Sequence, residues 1–304
     1  MINDEQATHS LFTILDFLRW GVSQMTAHQA YFGHGTDNAW DEALFLITSA
    51  LHLPYPFRQE YLSARLTEKE KEKIIDLFKR RIKEKIPAPY LVREAWFAGL
   101  TFYVDERVLI PRSPIAELIH RHFSPWIQYD ADVQNILDLC TGSACIAIAC
   151  AYAFPEALVD AVDIDKPALQ VAAENIRRHN VEDQVTLWES DLFTALPQKK
   201  YDIIISNPPY ISADEFAGLP EEYRQEPSIA LLSQTGSPDG LEIAERILFN
   251  AKNYLKPEGI LIIEVGNAEA ALSEKYPDIP FLWLGFDNGG SGVFLLTAEQ
   301  LKAV

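Results

Sequence analysis

Apolar positions along this chain change their spacing twice. Up to about residue 86 they recur every three or four residues, the period of a helix with one buried face. Leu11, Ile14, Leu15, Phe17 and Leu18 follow Ser10 in this way and predict a first helix. Leu44, Phe45, Ile47, Leu51 and Leu53 predict a second, capped by Asp37 or Asn38. Thr67-Glu68-Lys69-Glu70 has the form of a capping box, a hydroxyl and a carboxylate each satisfying the other's backbone N–H. It opens a third helix through Ile74, Ile75, Leu77, Phe78 and Ile82, which stops near Pro87 and Pro89. From Glu94 to Ile110 the pattern alternates, which predicts a β-hairpin turning near Asp105-Glu106. Pro111-Arg112-Ser113-Pro114 closes it, and helix resumes from Ile115 to Phe123.

From Gln134 onward, short apolar runs alternate with helical segments. The predicted strands are 135–139, 158–162, 185–188, 202–206, 260–265, 280–284 and 293–296. Such alternation implies a parallel sheet covered by helices on both faces. The last two strands are joined by a short stretch holding Asp287-Asn288-Gly289-Gly290, with no room for a crossover helix, so that pair is expected to be antiparallel. The expected fold is α/β: a doubly wound, seven-stranded, mostly parallel sheet with one antiparallel strand, plus a small N-terminal helical domain. The domains are predicted as 1–92 (helical), 93–114 (hairpin linker) and 115–304 (the sheet).

Composition narrows the class. The chain has 304 residues, 48% apolar and 23% charged, as soluble globular proteins do. No uncharged apolar run approaches the roughly 20 residues that span a bilayer. Residues 1–5 are acidic and lack the basic-then-apolar order of a signal peptide, so a cytoplasmic location is expected. Cys140, Cys145 and Cys150 lie five apart, which fits neither a zinc pair nor a redox CxxC, and they read as buried free thiols. The seven histidines form no metal pattern, and no metal site is expected. The net charge of −18 disfavours a nucleic-acid substrate and favours basic partners. A basic run over residues 69–85 is interleaved with acids and reads as a solvated, ion-paired helix face.

The chemistry concentrates after the strands. Asn207-Pro208-Pro209-Tyr210 follows the apolar run Ile203-Ile204-Ile205. Two prolines remove two N–H donors and fix two φ angles, leaving a stiff turn rich in acceptors. Such a turn suits a planar NH2 group: the Asn207 side-chain oxygen and the Pro208 carbonyl can accept its hydrogens while the Tyr210 ring covers its face. Asp138-Leu139-Cys140-Thr141-Gly142-Ser143-Ala144-Cys145 follows the first strand of the sheet and opens a helix. Its small residues admit a ligand close to the backbone. Asp138 would repel a diphosphate and suit a cationic group. Asp163 lies 21 positions after Gly142, near the spacing of a ribose-binding acid. Asp165 competes for that role, although it fits a helix cap better. Asp191 could accept an adenine amine, and Leu192 could pack on the ring.

These pieces in this order resemble class I S-adenosylmethionine-dependent methyltransferases, with a Rossmann-like domain. Together with the helical N-terminus and Val108-Leu109-Ile110-Pro111-Arg112, they resemble the protein-glutamine methyltransferases, from about Tyr61 to the C-terminus. Members acting on release factors typically carry Pro-Arg-Pro-Glu-Thr-Glu. Here Pro111-Arg112-Ser113-Pro114-Ile115-Ala116-Glu117-Leu118, Glu94-Ala95-Trp96-Phe97 and Cys140 resemble the branch acting on large-subunit ribosomal protein three. The resemblance implies S-adenosylmethionine as cofactor, with S-adenosylhomocysteine as product. It implies that Asp138, Cys140, Thr141, Gly142, Ser143 and Ala144 cradle the methionine part, that Asp163 binds ribose, that Asp191 and Leu192 frame adenine, and that Phe97 lies against the cofactor. Asn207, Pro208, Pro209 and Tyr210 would hold the target glutamine, and the helical domain would recognise a basic ribosomal protein. The family usually has glycine where this chain has Ala144. The alternatives are the same reaction on release factors, methylation of an adenine amine in nucleic acid, and a non-catalytic ribosome-assembly factor.

Overall fold

Thr13, not Ser10, starts the first long helix. Ser10 ends a short helix α1 (Asp4–Ser10). Thr13 caps α2 (Ile14–Ala27) by accepting the Asp16 N–H, while the Asp16 carboxylate accepts the Thr13 N–H at 2.9 Å. Ser10 has no acidic residue three positions on and cannot form this reciprocal pair. Asn38 caps α3 (Ala39–Ala50), and Thr67 with Glu70 forms the expected box on α4 (Glu68–Lys83). Beyond Pro87 the chain makes one more short helix, α5 (Ala88–Val92).

The computed structural model describes residues 4–54, 56–233 and 238–302. Residues 1–3, part of the N-terminal reading, lie outside the described residues. The chain divides into two bodies. The first runs to Ala95 and also takes in Pro220–Gln225, which the predicted range 1–92 lacks. Arg81 explains the addition. It is fully buried on α4, where Nε donates to Glu42 Oε1 at 2.6 Å and Nη1 to Glu222 Oε1 at 3.2 Å. A guanidinium out of water needs such partners, and Glu222 comes from a distant part of the chain. Lys71 is buried as well, donating to the Thr8 carbonyl and Glu68. Part of the basic run expected to be solvated is therefore interior.

The second body holds residues from Trp96 to Leu219 and from Glu226 on. The hairpin of β1 (Ala95–Phe97) and β2 (Leu100–Phe102) is shorter than predicted and turns at Ala98-Gly99. Both turn residues have positive φ, the geometry that two-residue hairpins favour. Near Asp105 the chain does turn, but it closes on itself: the Asp105 carboxylate accepts from the Arg107 backbone and guanidinium. Helix α6 (Ile115–His120) follows and ends before Phe123.

All seven predicted sheet strands form. In chain order the elements are β3 (Asn135–Leu139), α7 (Cys145–Ala153), β4 (Leu158–Asp163), α8 (Lys166–His179), β5 (Val185–Glu189), β6 (Tyr201–Ser206), α9 (Ala213–Gly218), α10 (Ser228–Leu231), α11 (Glu242–Ala251), β7 (Leu255–Glu264), α12 (Glu269–Lys275), β8 (Leu282–Trp283), β9 (Val293–Thr297) and α13 (Ala298–Leu301). The strand order is β5-β4-β3-β6-β7-β9-β8, and β9 runs antiparallel to both its neighbours. Ile203 and Ile205 face one core with Ile136, Ala161 and α7 residues; Ile204 faces the other with Leu137, Val162 and α11 residues. Burial on both faces is why these strands read as unbroken apolar runs. The order reverses between β3 and β6, so the loops leaving those two strands flank the switch point where such sheets bind ligands. Among the described residues no helix is long and apolar enough to cross a membrane.

Candidate active site

The loops after β3, β4, β5 and β6 and the segment 107–113 surround a cavity that is partly open to solvent. Cys140, Thr141, Gly142 and Ser143 line it from β3, Asp163 from β4, Asp191 and Leu192 from β5, and Asn207 and Pro209 from β6. Sequence reasoning thus brought residues from four separate loops into one cavity. Asp138, Ala144, Pro208 and Tyr210 do not line it, although each adjoins a lining residue in the chain or in the loop. Phe97 packs elsewhere, in the core against Phe102 at 6.4 Å between ring centroids.

The loop after β3 is wound tightly. Cys140, Gly142 and Ala144 all have left-handed backbone, with φ of 59°, 54° and 63°. For residues with a Cβ that conformation costs about 1–2 kcal/mol each. Ala144 caps α7 with its methyl fully buried. Cys140, expected to be buried, is only partly so and forms cavity wall; desolvation pushes its thiol pKa well above the ordinary value, and that of Cys145 up to about 12. At Gly142 a side chain would meet nothing within 4 Å, so the missing Cβ leaves open space in the cavity wall.

Two carboxylates organise this loop. Asp163 accepts the Gly142 N–H at 2.8 Å and the Asp165 N–H at 2.9 Å, one on each oxygen. A carboxylate has about four acceptor sites, and Asp163, which lines the cavity, is not saturated by these bonds. Asp165 caps α8 through the Ala168 N–H. Asp138 lies buried beneath the loop, taking the Thr141 hydroxyl at 2.5 Å and the Ala147 N–H at 3.2 Å on Oδ2, while Oδ1 has no hydrogen-bond partner. It thereby takes a donor of the first turn of α7, the kind of group a phosphate would need.

Burial pushes the Asp138 carboxyl up to about 7, against the pull of the Thr141 and Ala147 hydrogen bonds. In the unfolded chain its pKa is about 3.9. The folded value is the higher one, so this group's stabilising contribution is complete below about pH 4 and is lost as pH rises toward 7. Asp138→Asn mimics the protonated form. Urea midpoints of the ligand-free proteins should agree near pH 4, and the variant should then gain about 1.4 kcal/mol per pH unit up to pH 7. Equal midpoints at pH 8 would refute the assignment.

Beyond β6 the turn is held by its surroundings. The Ser206 hydroxyl donates to the Leu139 carbonyl at 2.7 Å, tying the ends of β6 and β3 together. The Tyr210 hydroxyl donates to Glu264 Oε1 at 3.2 Å. Asp191, expected to meet an adenine amine, receives Arg246 Nη2 on both oxygens at 2.8 and 2.7 Å.

Residues 121–218 match the family model described as Methyltransferase small domain. The ribosomal protein uL3 glutamine methyltransferase of Francisella tularensis subsp. tularensis (strain SCHU S4 / Schu 4) is 48% identical over 293 residues, covering 96% of this chain and 92% of the relative. That of Neisseria gonorrhoeae (strain ATCC 700825 / FA 1090) is 48% identical over 296 residues, covering 97% and 98%. The chain belongs to the ribosomal protein uL3 glutamine methyltransferase family. The resemblance carried by the turn after β6 and by residues 94–118 therefore holds for both the family and the branch. Among solved structures, the hMettl16 catalytic domain in complex with MAT2A 3′UTR hairpin 6 shares the fold, with a TM-score of 0.51 and 18% identity over 75% of this chain and 80% of that one.

Several residues of this methyltransferase's cavity carried no sequence signal of their own. Ile229 and Ala230 reach it from the short α10, and Ile243 from α11. Arg112 and Ser113 line it too, from the proline-rich segment that the sequence marked as a closing turn and as part of the family resemblance, but not as cavity wall. Arg112 is held by Glu226, with Nη1 to Oε1 and Nη2 to Oε2 both at 2.7 Å, and the Ile110 N–H donates to the same carboxylate at 2.9 Å.

Proposed function

We propose that this enzyme methylates the side-chain amide nitrogen of a glutamine in ribosomal protein uL3, with S-adenosylmethionine as methyl donor. The observation that carries the reading is the donor-poor turn 207–210, which presents Asn207 and Pro209 to a cavity at the sheet's switch point. The cavity lining fits the donor: Gly142 leaves open space, and Asp163 keeps acceptor capacity for ribose hydroxyls. Cys140, Thr141 and Ser143 would hold the methionine part, and Leu192 the adenine. When bound, S-adenosylmethionine supplies a methyl group activated by a sulfonium.

The chain's own task is placement. An amide nitrogen is a weak nucleophile because its lone pair is delocalised. Asn207 Oδ1 and the Pro208 carbonyl accept the two amide hydrogens, and Tyr210 packs on the amide plane and stops its rotation. Orientation of this kind supplies a large part of the rate gain, and fixed acceptors add more as positive charge develops on nitrogen. The helical body takes the part of recognising the substrate. A net charge of −18 favours a basic protein over a polyanion.

The test is transfer of labelled methyl onto purified uL3, a release factor and RNA, followed by mass mapping. Label on a uL3 glutamine is expected. Label confined to the release factor or to RNA would overturn the proposal.

A further inference from the structure

Tyr210 is seated with unusual care for a residue outside the cavity wall. Its hydroxyl donates to Glu264 Oε1 at 3.2 Å. Glu264 ends β7, is 6% exposed, and accepts the Ser113 hydroxyl on Oε2. Ser113 Oγ itself accepts the Ile115 N–H at 3.2 Å, so its single proton points to Glu264. The carboxylate therefore receives two hydroxyl protons, one on each oxygen. Burial pushes the Glu264 pKa up, and the Ser113 and Tyr210 hydroxyls pull it back down. With each oxygen engaged by a hydroxyl and the group 6% exposed, Glu264 is placed to hold these two side chains.

The ring is confined from below as well. A Cβ on Gly266, two residues past Glu264, would fall 2.5 Å from Tyr210 Cε2. A Cβ on Gly240 would fall 2.1 Å from the Tyr210 carbonyl oxygen. Gly292 presses on Gly266 in turn, and the Val265 N–H donates to its carbonyl at 2.7 Å. Hydroxyl and ring of this tyrosine are thus held by the segment 264–266, and its backbone by Gly240.

We propose that Glu264, oriented by Ser113, is a positioning residue that fixes the Tyr210 ring and so sets the slot for the target carboxamide. The proposal rests on the glutamine-methylation reading given above. Ser113 connects the slot to the cavity wall, since it lines the cavity while its hydroxyl is spent on Glu264. In Glu264→Gln one oxygen becomes an NH2 group, which only donates, so the hydroxyl facing it must swing its proton away and accept instead. Either the Ser113 or the Tyr210 hydroxyl loses its present orientation.

Two readouts test this, one of them independent of activity. In protein labelled with 3-fluorotyrosine, the fluorine resonance assigned to Tyr210 by its loss in Tyr210→Phe should shift or broaden in Glu264→Gln and in Ser113→Ala. An unmoved resonance overturns the proposal, whatever the substrate. In uL3 methylation, Glu264→Gln should lower kcat/KM by about 10- to 100-fold while cofactor affinity and melting temperature stay near wild type. Tyr210→Phe should cost a similar factor, and the double variant less than about twofold more, because both changes break one link. Multiplicative losses, or full activity in Glu264→Gln, overturn it. Wild-type protein that methylates no uL3 sinks the glutamine reading instead, and the fluorine shift still decides the Glu264–Tyr210 link.

Discussion

Asn207→Ala should lower single-turnover methyl transfer onto uL3 by on the order of 100- to 1000-fold, while calorimetry shows cofactor binding changed by no more than about threefold. The factor is that expected for deleting one fixed polar group that meets charge developing in the transition state. The large effect on turnover and small effect on binding follow from when the contact matters. An acceptor that tightens as the amide hydrogens become acidic raises turnover more than ground-state affinity. The fold should survive, because the end of β6 is held by the Ser206 hydroxyl on Leu139 and by its register with β3 and β7. A variant that keeps full turnover removes Asn207 from the chemistry.

The second large effect is expected at Gly266. Its φ of +51° suits glycine, and a Cβ there would collide with the Tyr210 ring at 2.5 to 3.1 Å. Gly266→Ala combines a left-handed backbone cost of about 1–2 kcal/mol with an overpacking cost of about 1–3 kcal/mol. Urea unfolding should show a loss of about 2–5 kcal/mol, and turnover should fall more than about 100-fold because the ring is pushed off its seat. Gly289→Ala is the control. It shares the positive φ, at +86°, but a Cβ there meets nothing within 4 Å. It should lose only the backbone part, with turnover near wild type. Indistinguishable behaviour of the two variants would mean that Gly266 has no special relation to Tyr210.

Much of the sheet was legible because its cause is local. A strand buried on both faces needs consecutive apolar side chains, and 136–137, 203–205 and 260–263 show that directly. The antiparallel end was legible from loop length alone. Helix starts were legible where the capping partner lies three residues away, as at Thr67 and Glu70. The start at Ser10 misled because a hydroxyl without an acid at the third position is only half a cap. The hairpin turn was misplaced because Asp105-Glu106 has turn composition, whereas Ala98-Gly99 has the backbone that joins two strands.

The cavity divides the same way. Loops that follow strands in a doubly wound sheet converge at the switch point, so Gly142, Asp163, Asp191 and Asn207 met as the order of the motifs implied. The left-handed backbone at Cys140 and Ala144 left no trace in residue type. Arg81 looked like one charge among many on a polar helix until Glu42 and Glu222 were seen around it.

From the sequence alone came the layers of the fold, the motif loops, the family resemblance and the chemistry of a turn that accepts hydrogens. All of these depend on neighbours within a few residues or on the alternation of strand and helix. Only the tertiary structure decided that Ser113, Tyr210 and Glu264 form one hydrogen-bonded unit, that Pro220–Gln225 joins the helical body, and that Asp138 lies beneath the cavity. Those facts turn on which buried polar groups find partners far along the chain. The need for a partner belongs to each residue, while its identity is set by the packing of the whole.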